Sequence, residues 1–508
     1  MRILLATSGW SRHGGVWVKG GCFAEGSWLE GAALARYFAV ADMAQFAQRL
    51  AGANGIFAVV VDDGSHLMAA IDGSRIYPLY YNSEALSDDP YQLVPSTPQL
   101  DSAALLWYRA SGAVPSGSTL IRGVRQLQPW HCINLRSGSS ICYYSYLARP
   151  AELRASSLQQ LDQVMLRVFE RMVASVAGRQ IVVPLSGGYD SRLIVYMLSR
   201  LGYRNVVCYT VGSADSPECA AAQQIARLLQ YPIHHIDTAQ PQMLQYIREP
   251  QFVRYADFVG ALTNFAWLFE YAAMRWLQDH DAVAPDAVAV PGHSLDFLGG
   301  SHVRKALVNA RSGASVLAGT MLYDSFEHGS CPSLRAPLRA QFAADIRQGY
   351  TPWSAYQWAI MQHRLSHNIN NSARAYEFLG YQLRLPYWDR ELLDFFRVLP
   401  LDQLQHPLLC RYAEQHLAAL GASLKPVESP KIYLQSKLRR RIKRFVPQFF
   451  YTRRKKISDP VGEYFLMQPL LSQLADSGCY PSSDNYQSVN KVLSDWYLHR
   501  IRQRFSLP

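Results

Sequence analysis

The stretch from residue 155 to 237 constrains the fold more than any other part of the chain. "SLQQLDQVMLRVFERMVASVAG" places apolar residues at helical spacing, with a Ser at its start and Gly178 at its end. It is followed by a strand-like "QIVVPL", a glycine turn, and a helix-like "SRLIVYMLSRLG". Then come the strand "NVVCYTVG", the helix "SPECAAAQQIARLLQ" and the strand "IHHID". Parallel neighbours joined by helical crossovers are the arrangement such alternation supports, so it predicts a parallel sheet with helices on both faces.

With 508 residues, 49% of them hydrophobic, the chain is long enough for two or three packed domains. The first 150 residues read as β-rich: "GIFAVVVDD" (55–63), "HLMAAID" (66–72) and "YPLYY" (77–81) are short apolar runs separated by turn residues, and "HCINLRSGSSICYYSYL" (131–147) reads as a further hairpin. Residues 245 to 430 read as mostly helical. The expected boundaries are therefore 1–150, 151–430 and 431–508. The most apolar long stretch, "FVGALTNFAWLFEYAAMRWL" (258–277), carries Asn264, Glu270 and Arg275 and reads as one buried helix rather than a membrane span. The apolar part of the N-terminus is short for a signal peptide, so the expected location is cytoplasmic. Eight cysteines without a C-x-x-C pair read as reduced core thiols, not as a disulfide framework or a zinc site.

The turn inside the alternating stretch reads "PLSGGYDS". Ligands of doubly wound sheets bind at the carboxyl ends of strands, beside helix N-termini. Gly187 and Gly188 let backbone approach an anion, the N–H groups of the following helix favour a phosphate, and Ser186 and Ser191 add hydroxyls. Asp190 is out of place in an anion site unless it holds a Mg²⁺ that bridges phosphates. The Lys and spacing of a Walker A loop are absent.

Strand-S-G-G-x-D-S resembles the pyrophosphatase loop of the N-type ATP pyrophosphatases, which split ATP between its α and β phosphates. Two further segments resemble the asparagine synthetase superfamily. In "VPGHSLDFLGG" (290–300), Gly292, Asp296 and Gly300 match G-x-x-x-D-x-x-x-G. In "EFLGYQLRLPYWDRELLDFFRVLP" (377–400), Gly380, Arg384, Pro386 and Asp389 match G-x-E-x-R-x-P-x-x-D, with Gln382 in place of Glu. Glu218 fits the family's helix after the second strand. In the N-terminal part, "NGIFAVVVDD", "DGSRIYPLYY" and "VPSGSTLIRGVRQLQP" (114–129) are similar to the glutaminase-like domain.

The resemblance implies a multi-domain α/β chain. A β-rich glutaminase-like domain of degenerate Ntn type precedes a doubly wound parallel-sheet ATP pyrophosphatase domain of the adenine nucleotide α-hydrolase-like kind, with a helical C-terminal extension. It implies ATP and Mg²⁺ as cofactors, with Asp190 and Asp296 as metal ligands. Leu185, Ser186, Gly187, Gly188, Asp190, Ser191, Val211 and Gly292 would contact ATP or pyrophosphate. The implied activity is that of an ATP-dependent ligase: a substrate carboxylate is adenylated, pyrophosphate leaves, and an amine takes the acyl group.

The chain also departs from the family. Glutamine-using members carry Cys after the initiator Met, as thiol nucleophile with a free α-amine. Here residue 2 is Arg2 and the first cysteine is Cys22. The resemblance therefore implies lost glutaminase chemistry, with the amine coming from ammonia, a partner glutaminase or the substrate itself. His293 replaces a Glu, and "GHSLD" is similar to the loop of some lasso-peptide cyclases. His293 reads either as a catalytic proton acceptor or as a hydrogen-bonded core histidine. The segment "HRLSHNINNSARAYEFLGYQLRLPYWD" (363–389) is similar instead to asparagine-synthetase-like proteins of bacterial surface polysaccharide synthesis, which are thought to amidate acidic sugars. Arg364, Asn368, Asn371 and Arg374 recur there at helical spacing and read either as an acid-binding face or as a solvated one. Three readings stand side by side: amidation of an acidic sugar or amino acid, ring closure of the lasso-peptide-cyclase or β-lactam-synthetase kind, and a non-catalytic scaffold at a membrane.

The net charge is +11, and residues 431–456 hold eleven basic residues (Lys431, Lys437, Arg439, Arg440, Arg441, Lys443, Arg444, Arg453, Arg454, Lys455, Lys456) and no acid. No nucleic-acid-binding motif accompanies them. Apolar residues interleave with the cations at helix-like spacing, which is the pattern of a peripheral segment on the inner face of an anionic membrane and equally of a solvated helix. In the family a Lys near the C-terminus contacts phosphate and assists acyl transfer. Arg454 and Lys455 are the residues in that register.

Overall fold

The computed structural model describes residues 1–115, 117–213, 216–237, 241–303, 308–309, 311–325, 331–404, 407–418 and 489–507. The basic stretch 431–456, with Arg454 and Lys455, lies outside the described residues, and so does most of the expected C-terminal extension.

The alternating stretch forms the expected parallel sheet. Its five strands lie in the order Ile233–Ile236, Val206–Val211, Ile181–Pro184, Val288–Ala289, Gln382–Leu383. Every neighbouring pair is parallel, with Ile181 opposite both Val206 and Val288. Ile181, Val182 and Val183 expose no surface, as the centre of a sheet covered on both faces demands. The helix Leu158–Val176 starts at a capping box in which the Ser157 hydroxyl accepts from the Gln160 amide while the Gln160 side chain accepts from the Ser157 amide. Gly178 follows its C-terminus at φ +79°.

The first part of the chain builds two sheets. A seven-stranded antiparallel sheet runs in the order Ser140–Cys142, His131–Asn134, Leu67–Ile71, Asn54–Asp62, Val16–Ala24, Trp10–His13, with Ser27–Glu30 also paired to Val16–Ala24. A smaller sheet holds Arg2–Leu4, Ala85–Ser87, Tyr80–Tyr81 and Arg125–Gln126. Strand Asn54–Asp62 shows why "GIFAVVVDD" is a continuous apolar run. Ala58 and Val60 pack with Leu67, Ala69, Leu79, Leu86 and Leu127 in a core between the two sheets. Phe57, Val59 and Val61 face the other way, into the core that includes Leu34, Phe38, Phe46 and Leu50. These last four come from the helical stretch after Ser27–Glu30.

Two sequence expectations are corrected. The stretch 258–277 is not one helix. It breaks between Pro250–Gly260 and Leu268–Asp279, where Ala261 (φ 42°) and Leu262 (φ 56°) turn left-handed. The freed backbone is used at the junction with the N-terminal part: the Leu120 amide donates to Leu262 O and the Val114 amide to Thr263 O, both at 2.8 Å. The break is thus compensated by hydrogen bonds that a continuous helix would forbid. Second, Arg364, Asn368, Asn371 and Arg374 do not form a polar face open to an acid. A π-helix, Met361–Ile369, shifts the register. Asn368 donates to Ser111 O of the N-terminal part, whereas Asn371 donates to Val259 O and Arg374 to Phe258 O, both in the helix Pro250–Gly260, so all three side chains are engaged with backbone carbonyls.

Asp389 anchors the same junction at a second place, between the 3-10 turn Pro386–Trp388 and the helix Arg390–Arg397. Its carboxylate accepts from Arg171 Nε and Nη2 at 3.0 and 2.9 Å, from Asn54 Nδ2 at 2.9 Å, and from the Glu391 amide as N-cap of the helix Arg390–Arg397. A paired, largely buried carboxylate of this kind is costly to delete because its partners are left behind. Asp389→Ala is therefore expected to lose about 2–4 kcal/mol of stability in urea unfolding, with Asp389→Asn losing less. An unchanged midpoint would contradict this account of the junction.

Candidate active site

Three loops meet at the carboxyl edge of the parallel sheet. The first leaves strand Ile181–Pro184 through Leu185, which is buried and whose amide donates to Tyr209 O of the neighbouring strand at 2.7 Å. The chain then turns through Ser186, Gly187 and Gly188 into the helix Tyr189–Arg200, with Gly188 as N-cap. Ser191, buried one turn in, reaches back: its Oγ accepts from the Ser186 amide at 3.0 Å and lies 3.1 Å from Ser186 Oγ. Ser186 Oγ in turn accepts from the Gly188 amide. The two serines therefore brace the turn from inside. Arg192 braces it from behind, its Nε donating to Gly188 O at 3.0 Å.

The second loop leaves strand Val288–Ala289 and runs through Gly292 and His293 to the short helix Leu295–Leu298. It crosses the first loop at very close range. A Cβ at Gly292 would lie 2.8 Å from the Ser191 amide nitrogen, nearer than carbon and nitrogen tolerate. Ser294 holds φ +85°, a left-handed conformation unusual for a side-chain-bearing residue. This sharp turn brings the Asp296 amide to donate to Asp190 Oδ2 at 3.1 Å. Asp296 itself is exposed, and Ser301 Oγ donates to its Oδ2 at 2.9 Å.

The third loop supplies residues that sequence reasoning missed. Tyr387 donates its hydroxyl to Asp190 O at 2.7 Å, and Trp388 Nε1 donates to Ser294 Oγ at 3.3 Å. Both lie in the "LPYWD" run, so each of the first two loops is held by one aromatic residue of the third. The sequence signal was their place inside the P-x-x-D match, where only Pro386 and Asp389 carried weight.

Burial, and then the Asp296 charge, push the Asp190 carboxyl well above the usual carboxylate range. Among the described residues no cluster of three or more His, Cys, Asp or Glu side chains could enclose a metal ion. Two carboxylates drawn together fit a hard divalent cation whose remaining ligands would come from phosphate and water. His293 follows Gly292 in the second loop. Burial holds its imidazole down at about 4, so it is neutral at pH 7, and its Nε2 has no hydrogen-bond partner among the described residues. Val211, half-buried, ends the next strand opposite Ile236. Cys22 sits in strand Val16–Ala24 of the seven-stranded sheet: it exposes no surface, and burial lifts its thiol to about 12, as expected of a core thiol.

The crossing at Gly292 generates a prediction. Gly292→Ala forces the two loops apart against backbone rather than against a flexible side chain. It is expected to cost roughly 1–3 kcal/mol by thermal or urea unfolding, the range for overpacking a rigid contact. Wild-type stability in this variant would contradict the close crossing.

Comparison with known proteins follows the same segments. A family model described as asparagine synthase matches residues 165–495. Over 61 residues the chain is 49% identical to a probable glutamine-hydrolyzing asparagine synthetase of Acanthamoeba polyphaga mimivirus, a match covering 12% of this chain and 11% of that relative. The aligned stretch is thus about a tenth of the relative's length. Among solved structures, an NH3-dependent NAD synthetase from Campylobacter jejuni aligns with 16% identity over 43% of this chain and 96% of its own, at a TM-score of 0.24. The U34-tRNA thiolase NcsA from Methanococcus maripaludis aligns with 14% identity over 37% of this chain and 73% of its own, at a TM-score of 0.17. The fold rests on the strand order itself, not on these two alignments. The family match spans more than half of the chain and includes all three loops of the site: the chain belongs to the asparagine synthase family.

Proposed function

We propose that this chain is an ATP-dependent ligase that adenylates a substrate carboxylate and transfers the acyl group to an amine. The observation that carries this reading is the hydrogen bond between two loops, Asp296 N–H to Asp190 Oδ2, which sets two acids together at the carboxyl edge of a parallel sheet beside a Gly-rich helix start. Phosphates bind at such helix starts, and acids there call for a metal. Asp190 and Asp296 would hold Mg²⁺, which when bound neutralises the charge of the phosphates.

In this reading a carboxylate oxygen attacks the α-phosphorus of ATP, the bond to the β-phosphate breaks, and pyrophosphate leaves against the Ser186–Ser191 turn. The backbone amides of that turn, held by Ser191 and Arg192, are oriented before the charge develops, which is where electrostatic preorganisation is most effective. Leu185, Val211 and Gly292 border the nucleotide. An amine then attacks the acyl carbon, and AMP leaves with the bonding electron pair. Arg454 or Lys455 is assigned to the phosphates on the family register alone.

The N-terminal sheets are read as a glutaminase-like domain that serves as a structural partner. The core position of Cys22 supports this, since a buried thiol at about 12 is a poor nucleophile. The proposed carboxylate donor is a small acid such as an acidic sugar, a reading supported by the resemblance of residues 363–389 and not by an open polar face there.

The test is pyrophosphate release from Mg-ATP with aspartate, glutamate, glucuronate or galacturonate as acid and ammonium as amine. D190N is expected to lower release by at least about 100-fold. Because burial and Asp296 already disfavour the Asp190 carboxylate, D190N should melt at or above the wild-type temperature. A loss of release then reads the site and not the fold. Unchanged release in D190N would refute the assignment of the loop.

A further inference from the structure

A cavity of about 360 Å³ lies on the seam between the N-terminal part and the rest of the chain, and none of its lining residues belongs to the three loops described above. That volume is at the small end of the range for ligand sites. One wall comes from the N-terminal part. Thr7 follows the strand Arg2–Leu4, and Asp88, Asp89 and Tyr91 follow its partner strand Ala85–Ser87. The other wall is one face of the helix Pro250–Gly260 and its left-handed end: Arg254, Asp257, Phe258 and Ala261 recur at i, i+3, i+4 and i+7. Arg504, from the helix Val489–Arg504, completes the lining.

Both walls are held in place by hydrogen bonds. The buried Asp88 accepts from the Ala6 amide at 2.8 Å, the Thr7 amide at 3.0 Å, the Thr7 hydroxyl, and Trp10 Nε1 at 2.7 Å. Across the cavity, the Asp257 carboxylate accepts from Arg500 Nε and Nη2 at 3.1 and 2.9 Å and from Arg504 Nη1 at 3.1 Å. The Arg504 guanidinium also lies over the Tyr91 ring, 4.1 Å from its centroid, so the C-terminal helix holds both walls. A chain of side chains links them as well. Lys19 Nζ donates to Thr7 Oγ1 at 2.8 Å and pairs with Glu377, and Glu377 pairs with Arg374, which donates to Phe258 O.

These contacts leave over one charge of opposite sign on each wall. Arg254 and Asp257 have the spacing of helical neighbours that ordinarily pair. Asp257 is already taken by Arg500 and Arg504, and the exposed Arg254 makes no hydrogen bond or ion pair among the described residues. Asp89, half-buried on the other wall, accepts from the Tyr91 amide at 3.0 Å as N-cap of the 3-10 turn Pro90–Leu93, and forms no ion pair among the described residues. A simple anion or a simple cation would be attracted by one of these groups and repelled by the other. A molecule that carries both charges meets each with its opposite, and Tyr91 and Phe258 offer apolar surface to the carbon skeleton between them.

The geometry points to a binding site for a small zwitterion of the α-amino-acid class. Its carboxylate is taken by Arg254 with the remaining nitrogens of Arg504, and its ammonium by Asp89. The inference does not rest on the ligase reading, since it concerns binding alone, at residues outside the three loops.

Binding is measured on the full chain without ATP, by thermal melting and then by isothermal titration, with each of the common α-amino acids in turn. Propionate and propylamine serve as probes that carry one charge only. At least one amino acid is expected to raise the melting temperature, because it binds a surface that exists only in the folded chain, while propionate and propylamine leave it unchanged. R254A and D89N should each weaken the binding of that amino acid roughly 10-fold or more. Both variants keep the fold: Arg254 supports no other group among the described residues, and Asn caps a helical turn as well as Asp does. The carboxamide of the same amino acid keeps the ammonium and lacks the carboxylate. It should bind R254A and wild type alike, and still lose affinity in D89N. Absence of binding by every amino acid overturns the inference. So does binding that propionate or propylamine matches, or that is unchanged in R254A or in D89N.

Discussion

The contact on which the site depends is the hydrogen bond from the Asp296 amide to the Asp190 carboxylate. It joins two loops that leave different strands and are more than one hundred residues apart in sequence. Their approach is permitted by Gly292, which has no Cβ to collide with the Ser191 backbone, and by the left-handed turn at Ser294. It is fixed by Tyr387 and Trp388, which hold one loop each from the end of a third strand. Burial, and then the Asp296 charge, hold the carboxyl so placed well above the usual carboxylate range. In the proposed function that environment would suit a metal-bound phosphate.

The N-terminal sheets matter to this site through the junction. Asp389 ties Arg171 on one side to Asn54 on the other, and Arg390 donates to the carbonyls of Ala51 and Ala53. On the opposite side, the break at Ala261–Leu262 opens backbone to residues 114 and 120, and the π-helix Met361–Ile369 carries Asn368 to Ser111. Buried charges reinforce the seam: Lys19 pairs with Glu377 at 2.7 Å, with both side chains about nine-tenths buried. Because Asp389 follows directly on Tyr387 and Trp388, the residues that lock the two halves are chain neighbours of those that hold the loops.

The sequence made the central sheet legible because period and punctuation agreed there: a Ser cap, helical spacing, a glycine stop, and short β-branched strands. It made Asp190 and Asp296 legible as a pair because two separate motifs resemble one family, and the structure joins their loops through the Asp296 amide. It failed where tertiary contacts outbid local pattern. The run 258–277 is apolar enough for one long helix, yet backbone hydrogen bonds across the junction favour a left-handed break that no propensity announces. The Arg364–Arg374 spacing suits an α-helix, but a π-helix changes its period, and side chains that looked available for an acid are bound to backbone carbonyls. Tyr387 and Trp388 were in view, but an aromatic pair reads as core until the loops it touches are known.

The account's central claim is that the Asp190–Asp296 site activates a carboxylate through its own oxygen. The most direct measurement uses the acid that supports pyrophosphate release, labelled with ¹⁸O in its carboxyl group, with ammonium as amine and mass analysis of the nucleotide product. Adenylation transfers one carboxyl oxygen to phosphorus, so the account predicts AMP carrying one ¹⁸O atom, together with unlabelled pyrophosphate. Unlabelled AMP, or ADP and phosphate in place of AMP and pyrophosphate, would contradict it.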